Sequence, residues 1–469
     1  MPESGSTAVV LGASIAGLLA ARVLADFYDT VRVVEREVLP DQPVTRRSVP
    51  QGALPHILSA RGMQIMGELF PGLPDELVAG GARAWNDGDL TRLSMSFSGY
   101  RFQTSGTIPN PESVVVYYAH RRFLEWTLRR RVLAIPNVEM LQGYDAVRLT
   151  SNPRRDLVTG VVMAQRKSGA ETTVSADVVV DATGRGSRTP VFLEQLGYDR
   201  PREDELKVHV TYAGLGVRLP AGTLREFITL VGPVPSRPRG FAMFAGEDDT
   251  YMLAMQTVAG HKVPTDYASL LDSLNEMAPP HVLAALSRAE PLSDVIQYRF
   301  PSNRWRRYDQ LKRMPAGLVV MGDAFCNFNP LYGHGMAVAA IEALILRDCL
   351  RHGDRKLPRR FFRHSAKEIR LSWRAAVSSD LALPQIAGKR TLSVRLGNAY
   401  LERVMAAAEG DPVVIQQFLR VMHLLDPPSR LFRPSTILRV FGRSARTGSD
   451  ASVVVESPSI ETPEAFSNR

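Results

Sequence analysis

Cysteine is nearly absent: Cys326 and Cys349 are the two in 469 residues. That is too few for a disulfide-stapled scaffold, and it matches a chain that folds in reduced cytoplasm. Long apolar runs are lacking as well. Nothing approaches the roughly 18 uninterrupted apolar residues of a membrane span. The first residues, MPESGSTAVVLGAS, place no cation ahead of their short apolar run, so no secretory leader is expected. Zinc-finger spacing, an RNP-type aromatic motif and a helix-turn-helix pattern are all missing, and with them the usual companions of nucleic-acid binding. There is no internal repeat, and no metal site is expected. What remains is 45% hydrophobic and 22% charged residues. That is a globular composition with more apolar material than one core uses, since single cores stop growing near ~250–300 residues.

Net charge is +9, from 57 Lys and Arg against 48 Asp and Glu. The excess is local, because residues 347–374 hold ten cations against three acids. There Leu350, Phe361, Phe362, Ile369 and Trp373 interleave with Arg359, Arg360, Arg363, Lys367 and Arg370, the pattern of a helix with a basic face. A solvated helix face is the first reading; contact of segment 347–374 with a membrane surface or an anionic ligand is the second. Nucleic acid is dropped as a partner.

Residues 7–11 form a short β-type run that meets Gly12-Ala13-Ser14-Ile15-Ala16-Gly17. An Ala- and Leu-rich segment at 18–25 and a second buried-strand run, TVRVVE, at 30–35 follow. Strand, tight turn, helix and strand in about thirty residues make a βαβ unit, hence a parallel sheet. ADVVVD at 176–181 and GLVVM at 317–321 are apolar enough for strands buried on both faces and return the chain to that sheet. Residues 93–102, 206–212, 227–231, 240–245 and 251–258 read as shorter strands, with a turn at Glu247-Asp248-Asp249, and imply a second, largely antiparallel sheet. Residues 336–350 read as a helix, and 373–441 as helices broken at Pro384, Pro412 and Pro427-Pro428. The stretch 444–469, rich in Ser, Pro, Thr and Glu, is expected to be disordered.

A phosphate cradle needs free backbone N–H groups at a helix N-terminus and small residues in the turn. Gly12 and Gly17 supply the turn and the close packing, and Ser14 and Ala16 fill the other small positions, Ser14 with a hydroxyl able to donate to a phosphate. Glu35, eighteen residues after Gly17 at the end of the second strand and followed by Arg36, stands where an acid accepts both ribose hydroxyls. An ordinary loop and a surface Glu are the bland alternatives. Together the two features favour a dinucleotide with a free 2′-hydroxyl, FAD or NAD over NADP.

Further along come AHRRFLEWTLR with Arg121, DVVVDATGRGS with Thr183 and Gly184, and GLVVMGDAFCNFNPLYGHGMAVAAIEA at 317–343. In the last, Asp323 follows a strand, Asn329-Pro330 makes a loop, and Gly333-His334-Gly335-Met336 opens a helix whose N–H groups suit an anion. In this order, over residues 7–375, these segments resemble the single-component flavoprotein monooxygenases of the para-hydroxybenzoate hydroxylase type. A narrower stretch, Arg46-Arg47-Ser48-Val49-Pro50-Gln51 with Pro55-His56-Ile57-Leu58, is similar to bacterial epoxidases of linear polyene polyketides.

The resemblance implies an α/β fold: a Rossmann-like FAD-binding domain (GR2-type) at 1–83, 105–203 and 291–375, and an inserted, mostly antiparallel substrate-binding sheet at 84–104 and 204–290. A helical C-terminal region at 376–443 and a tail at 444–469 complete the plan. It implies FAD held by Gly12, Ser14, Ala16, Gly17, Glu35, Arg36, Arg46, Gln51, Arg121, Thr183, Gly184, Gly322, Asp323, Pro330, Gly333, Gly335 and Met336. NAD(P)H is the transient co-substrate, and O2, added at flavin C4a, passes one oxygen atom to the substrate. Epoxidation requires no acid–base side chain, so no catalytic residue is assigned. Tyr332 and His334 are the candidates, His56 borders flavin or pocket or is structural, and Cys326, where the family often has histidine, is read as packing. Phe97, Phe102, Tyr212, Phe227, Phe241, Met243, Phe244 and Met255 suit a core for about half of them and an apolar pocket for the rest, hence a small apolar polyene, polyketide or aromatic substrate. No second GxGxxG and no halogenase WxWxIP signature is present. A reductase or saturase of isoprenoid-like chains and a flavin-binding interaction protein without turnover stay open. The location expected is cytoplasmic, with membrane-peripheral contact left open.

Overall fold

The computed structural model describes residues 6–354 and 356–442, so the expected disorder at 444–469 lies outside the described residues. A five-stranded parallel sheet runs in the order Leu318–Val320, Val178–Asp181, Thr7–Leu11, Thr30–Glu35, Val138–Gln142. The strands at 7–11 and 30–35 fall where the apolar runs predict them, because both faces of each are covered. Helix Ile15–Leu24 covers one face and packs on helix His334–Leu350. A three-stranded antiparallel sheet, Tyr144–Ser151, Val158–Gln165 and Glu171–Ser175, lies beside it.

The second main sheet has nine strands and is mostly antiparallel; Ile228–Val231 and Leu93–Phe97 are its parallel pair. Its long members, Glu203–Arg218 and Ile296–Arg306, pair through a bulge between Lys207 and Val210. One face is covered by helices Tyr267–Leu274 and Pro280–Leu286, the other by Leu392–Ala408 and Pro412–Met422. The expected fold class, an α/β molecule with an inserted sheet and a helical C-terminal part, is what the chain adopts.

Two boundaries differ from expectation. Residues 296–306 were read with the nucleotide-binding part, yet they form a strand of the large sheet, and Cys326–Asn327 extends it. The burial of this strand alternates through Tyr298 and Phe300, a period-2 pattern that marks it as a sheet member. The helix Leu357–Asp380 also runs straight across residue 375, because no proline or glycine interrupts it. It has the amphipathic pattern seen in the sequence: Phe361, Phe362 and Ile369 are buried, while Arg359, Arg363, Lys367, Arg370 and Arg374 are exposed.

The buried face of that helix carries its stability. Phe362 stacks on Tyr308 with ring centroids 5.2 Å apart and meets Phe325 edge-on at 5.3 Å. Phe362→Ala is expected to cost about 3–5 kcal/mol, whereas Arg363→Ala one residue on stays within about 0.5 kcal/mol. Urea unfolding of the two variants checks this; equal losses would contradict it.

Candidate functional site

A cavity of about 580 Å³ opens at the carboxyl ends of the parallel strands, between that sheet and the large one. Of the residues singled out in the sequence, Gly12, Ser14, Ala16, Glu35, Arg36, Arg46, Gln51, Arg121, Thr183, Gly184, Gly322, Asp323, Pro330, Gly333, His334, Gly335 and Met336 all line it, as does His56. Gly17 and Tyr332 do not.

Gly17 sits behind the wall. A Cβ there would lie 1.8 Å from the Gly12 carbonyl oxygen, so the helix starts this close to the strand only without a side chain. Gly12 itself has φ +96°, a left-handed backbone that glycine adopts without strain. The N–H groups of helix Ile15–Leu24 therefore open onto the cavity. Ser14 departs from expectation: its hydroxyl donates to Glu125 (2.9 Å) and accepts from Arg121 (3.1 Å), so it holds protein and is not free for a phosphate.

Glu35, 4% exposed, accepts the Ala13 N–H at 2.9 Å and the Arg46 guanidinium at 2.8 Å. Arg46 was expected along the cofactor. Its donors instead go to Glu35, to Glu125 (2.8 Å), to Glu37 (3.2 Å) and to the Ala13 carbonyl (3.1 Å). Three carboxylates converge on one buried cation, and hydrogen bonds from Ser48 with the Arg46 charge hold Glu37 below the usual carboxylate range despite partial burial. Arg46 fixes the orientation of Glu35 and leaves its outer lone pairs to the cavity. Glu125, one turn after Arg121, was missed; the i,i+4 spacing was its only trace in the sequence.

At the other end, Asp323 faces the open cavity with no hydrogen-bond partner among the described residues, and the desolvating walls push its carboxyl up from the ordinary value while Arg121 and Arg185 oppose the shift. Glu342 lies beneath, its Oε2 accepting the Gly322 N–H at 2.6 Å and its Oε1 without a partner. Gly333 has φ +65° and ends the 329–333 turn. The helix His334–Leu350 starts there with its N-terminus on the cavity. Burial lowers His334 to about 4, and burial with the Arg121 charge lowers His56 to about 3, so both imidazoles are neutral near pH 7. The Nδ1 of His334 is buried without a partner. Tyr298 and Phe300 form the wall on the sheet side, with the Arg185 guanidinium 5.0 and 5.6 Å from their ring centroids. A glycine-lined lane, two open helix N-termini, one free carboxylate and Arg121 together fit a flavin dinucleotide, FAD.

Two further expectations are corrected, and a third holds. Tyr332 is not on the cavity; its hydroxyl donates to buried Asp380 at 2.7 Å. The eight apolar residues of the sheet all sit in packed clusters and none lines the cavity, because both sheet faces are covered by helices. Cys326 is packed as expected, with its thiol pushed far above the ordinary value by burial.

A family model described as squalene epoxidase matches residues 252–359. The chain is 38% identical over 435 residues to Protein Rv3254 of Mycobacterium tuberculosis, covering 89% of this chain and 90% of that one. It is 25% identical over 359 residues to squalene monooxygenase SE1 of Panax ginseng, covering 75% of this chain but 60% of that protein. The flavin-dependent brominase Bmp2 superposes with TM-score 0.64 at 15% identity, over 94% of this chain and 98% of that chain. The fold is that of FAD-dependent monooxygenases and flavin-dependent halogenases.

Glu342 gives the site a pH signature. Burial pushes its carboxyl up to about 8 from an ordinary 4.5. Between those values the folded protein keeps a proton that the unfolded chain has released, so stability falls with rising pH. The contribution is full below about 4.5 and is lost as pH rises through about 8. Glu342→Gln stays neutral throughout and should gain on the wild type steadily from pH 5 to pH 8 in urea unfolding; parallel curves would contradict the assignment.

Proposed function

Since the chain belongs to the family of Protein Rv3254 and is an FAD-dependent oxidoreductase, we propose that it is a monooxygenase that epoxidises or hydroxylates an apolar polyene, polyketide or aromatic substrate. The observation that carries this reading is one cavity bounded by the Gly12 turn, Glu35, the Asp323 turn and the helix at His334. When bound, FAD would supply the redox chemistry, in which two electrons from NAD(P)H and one O2 put one oxygen atom into the substrate and release the other as water.

The residues do the rest. The N–H groups that open helix Ile15–Leu24 receive the pyrophosphate, with Arg121 as its counter-charge. Glu35, held by Arg46, accepts the adenosine ribose hydroxyls, and Asp323 accepts from the ribityl chain. The N-terminus at His334 favours negative charge at the pyrimidine end of the ring. Tyr298, Phe300 and Phe328 exclude water on the substrate side. Both imidazoles on the wall are neutral but weakly basic because burial lowers them, so they are poorly matched to deprotonating a phenol near pH 7. That favours oxygen transfer to an alkene, which needs no general base. It is also the chemistry in the names of squalene epoxidase and squalene monooxygenase, whose substrate is theirs and not carried over. The exposed stripe Arg359, Arg363, Lys367, Arg370 and Arg374 suits an anionic surface, and peripheral contact of this cytoplasmic enzyme with a membrane is its second reading.

Purified protein should be yellow, with one FAD per chain. NADPH or NADH should bleach it without oxygen, and air should restore the colour with O2 consumed. Stimulation of bleaching by polyenes over phenols supports epoxidation. Anaerobic turnover that saturates a double bond would establish a reductase instead, and a colourless protein that takes up no FAD ends every flavin reading.

A further inference from the structure

The helix Leu357–Asp380 ends on an acid that breaks three local rules. Asp380 is 2% exposed. It lies at a helix C-terminus, where the backbone dipole disfavours negative charge. Among the described residues its partners are the neutral Tyr332, Asn329 and Asn303, and no cation pairs with it. Burial raises its carboxyl above the ordinary value. A buried carboxylate without a cation is retained only where hydrogen bonds offset its desolvation.

Those bonds converge on one segment. Asp380 accepts from Asn329 Nδ2 (2.9 Å), Tyr332 O–H (2.7 Å) and Asn303 Nδ2 (2.5 Å). Asn303 Oδ1 accepts the Asn329 N–H at 2.5 Å. Tyr212 O–H donates to Asn329 Oδ1 at 2.6 Å and accepts the Leu331 N–H at 3.1 Å. The network ties the end of helix Leu357–Asp380 and two strands of the large sheet to residues 329–333, whose Asn329, Pro330 and Gly333 form the cavity wall just before the helix at His334. Two of the three donors to Asp380 come from that segment, and all three are neutral, so the carboxylate acts as its anchor. Hydrogen bonds to a charged acceptor are about twice as strong as neutral ones.

We infer that Asp380 is a positioning residue: it clamps residues 329–333 and thereby sets the isoalloxazine end of the cavity from outside the cofactor motif. It touches neither cofactor nor substrate. The inference rests on the flavin reading only for its second readout.

The test compares the holoprotein with Asp380→Asn and Tyr332→Phe. The asparagine is isosteric but turns one acceptor into a donor facing Asn303 Nδ2. Hydrogen exchange by mass spectrometry is expected to rise about tenfold or more in peptides spanning residues 326–336 in Asp380→Asn, as befits loss of a bond to a charged group. The rise is smaller in Tyr332→Phe, and peptides across residues 7–24 stay unchanged. The visible circular-dichroism band of bound flavin should shift in both variants while FAD content stays near one per chain, because the Gly12, Glu35 and Arg121 end is untouched. A lowered melting temperature with unchanged exchange at 326–336 and an unchanged flavin band would overturn the inference and leave Asp380 a plain core residue. If Asp380→Asn fails to fold, Tyr332→Phe alone decides by the same two readouts. If wild-type protein carries no flavin, the proposed function fails, and the exchange data still decide the clamp.

Discussion

Everything at the cavity depends on how closely the first helix approaches the first strand. With no Cβ at Gly17, the helix backbone rests on the Gly12 carbonyl, and the left-handed Gly12 turns the chain sharply enough to begin the helix there. The N–H groups of that first turn then have no intrahelical partners and face the cavity. Any larger residue at 17 would push the helix off the strand and close the lane with it.

Around that turn the chain buries ionisable side chains in places that cost stability. Arg46 is buried among Glu35, Glu37 and Glu125. Glu342 is buried beneath the Asp323 turn, and Asp380 is buried behind residues 329–333. Removing one partner from such a set is costly because the others stay behind uncompensated. Each cluster braces a group that faces the cavity: Glu35, the Asp323 turn, and the loop before His334. Local rules broken together around one volume are the mark of a functional site. Much of the large sheet, by contrast, is packed with apolar side chains against the helices that cover its faces.

The parts legible in the sequence were those with short-range causes. Residues 7–11 and 30–35 are apolar runs closed by glycine and an acid, and their strands fall where they should. The glycine turns declared themselves by spacing. What stayed hidden needed contacts across the fold. Glu125 meets Arg46 across 79 positions, and Asp380 meets Asn329 across 51, with nothing in either local pattern to announce a partner. Tyr332 looked like a cavity residue from its place in the motif, yet its hydroxyl turns to Asp380. The aromatic and methionine residues of the sheet were recognisable as inward-facing by alternation. Which helices fill the sheet faces depends on elements more than three hundred positions away, as where Phe97 meets Phe418.

The central claim is that one cavity holds FAD with its adenosine at Glu35 and its ring before the helix at His334. A crystal structure of the flavin-bound protein tests it most directly. The account predicts ribose hydroxyls on the Glu35 carboxylate, pyrophosphate at the N-terminus of helix Ile15–Leu24, and the isoalloxazine between the Asp323 turn and residues 329–335. Flavin density in another place, or with its ends reversed, would contradict it.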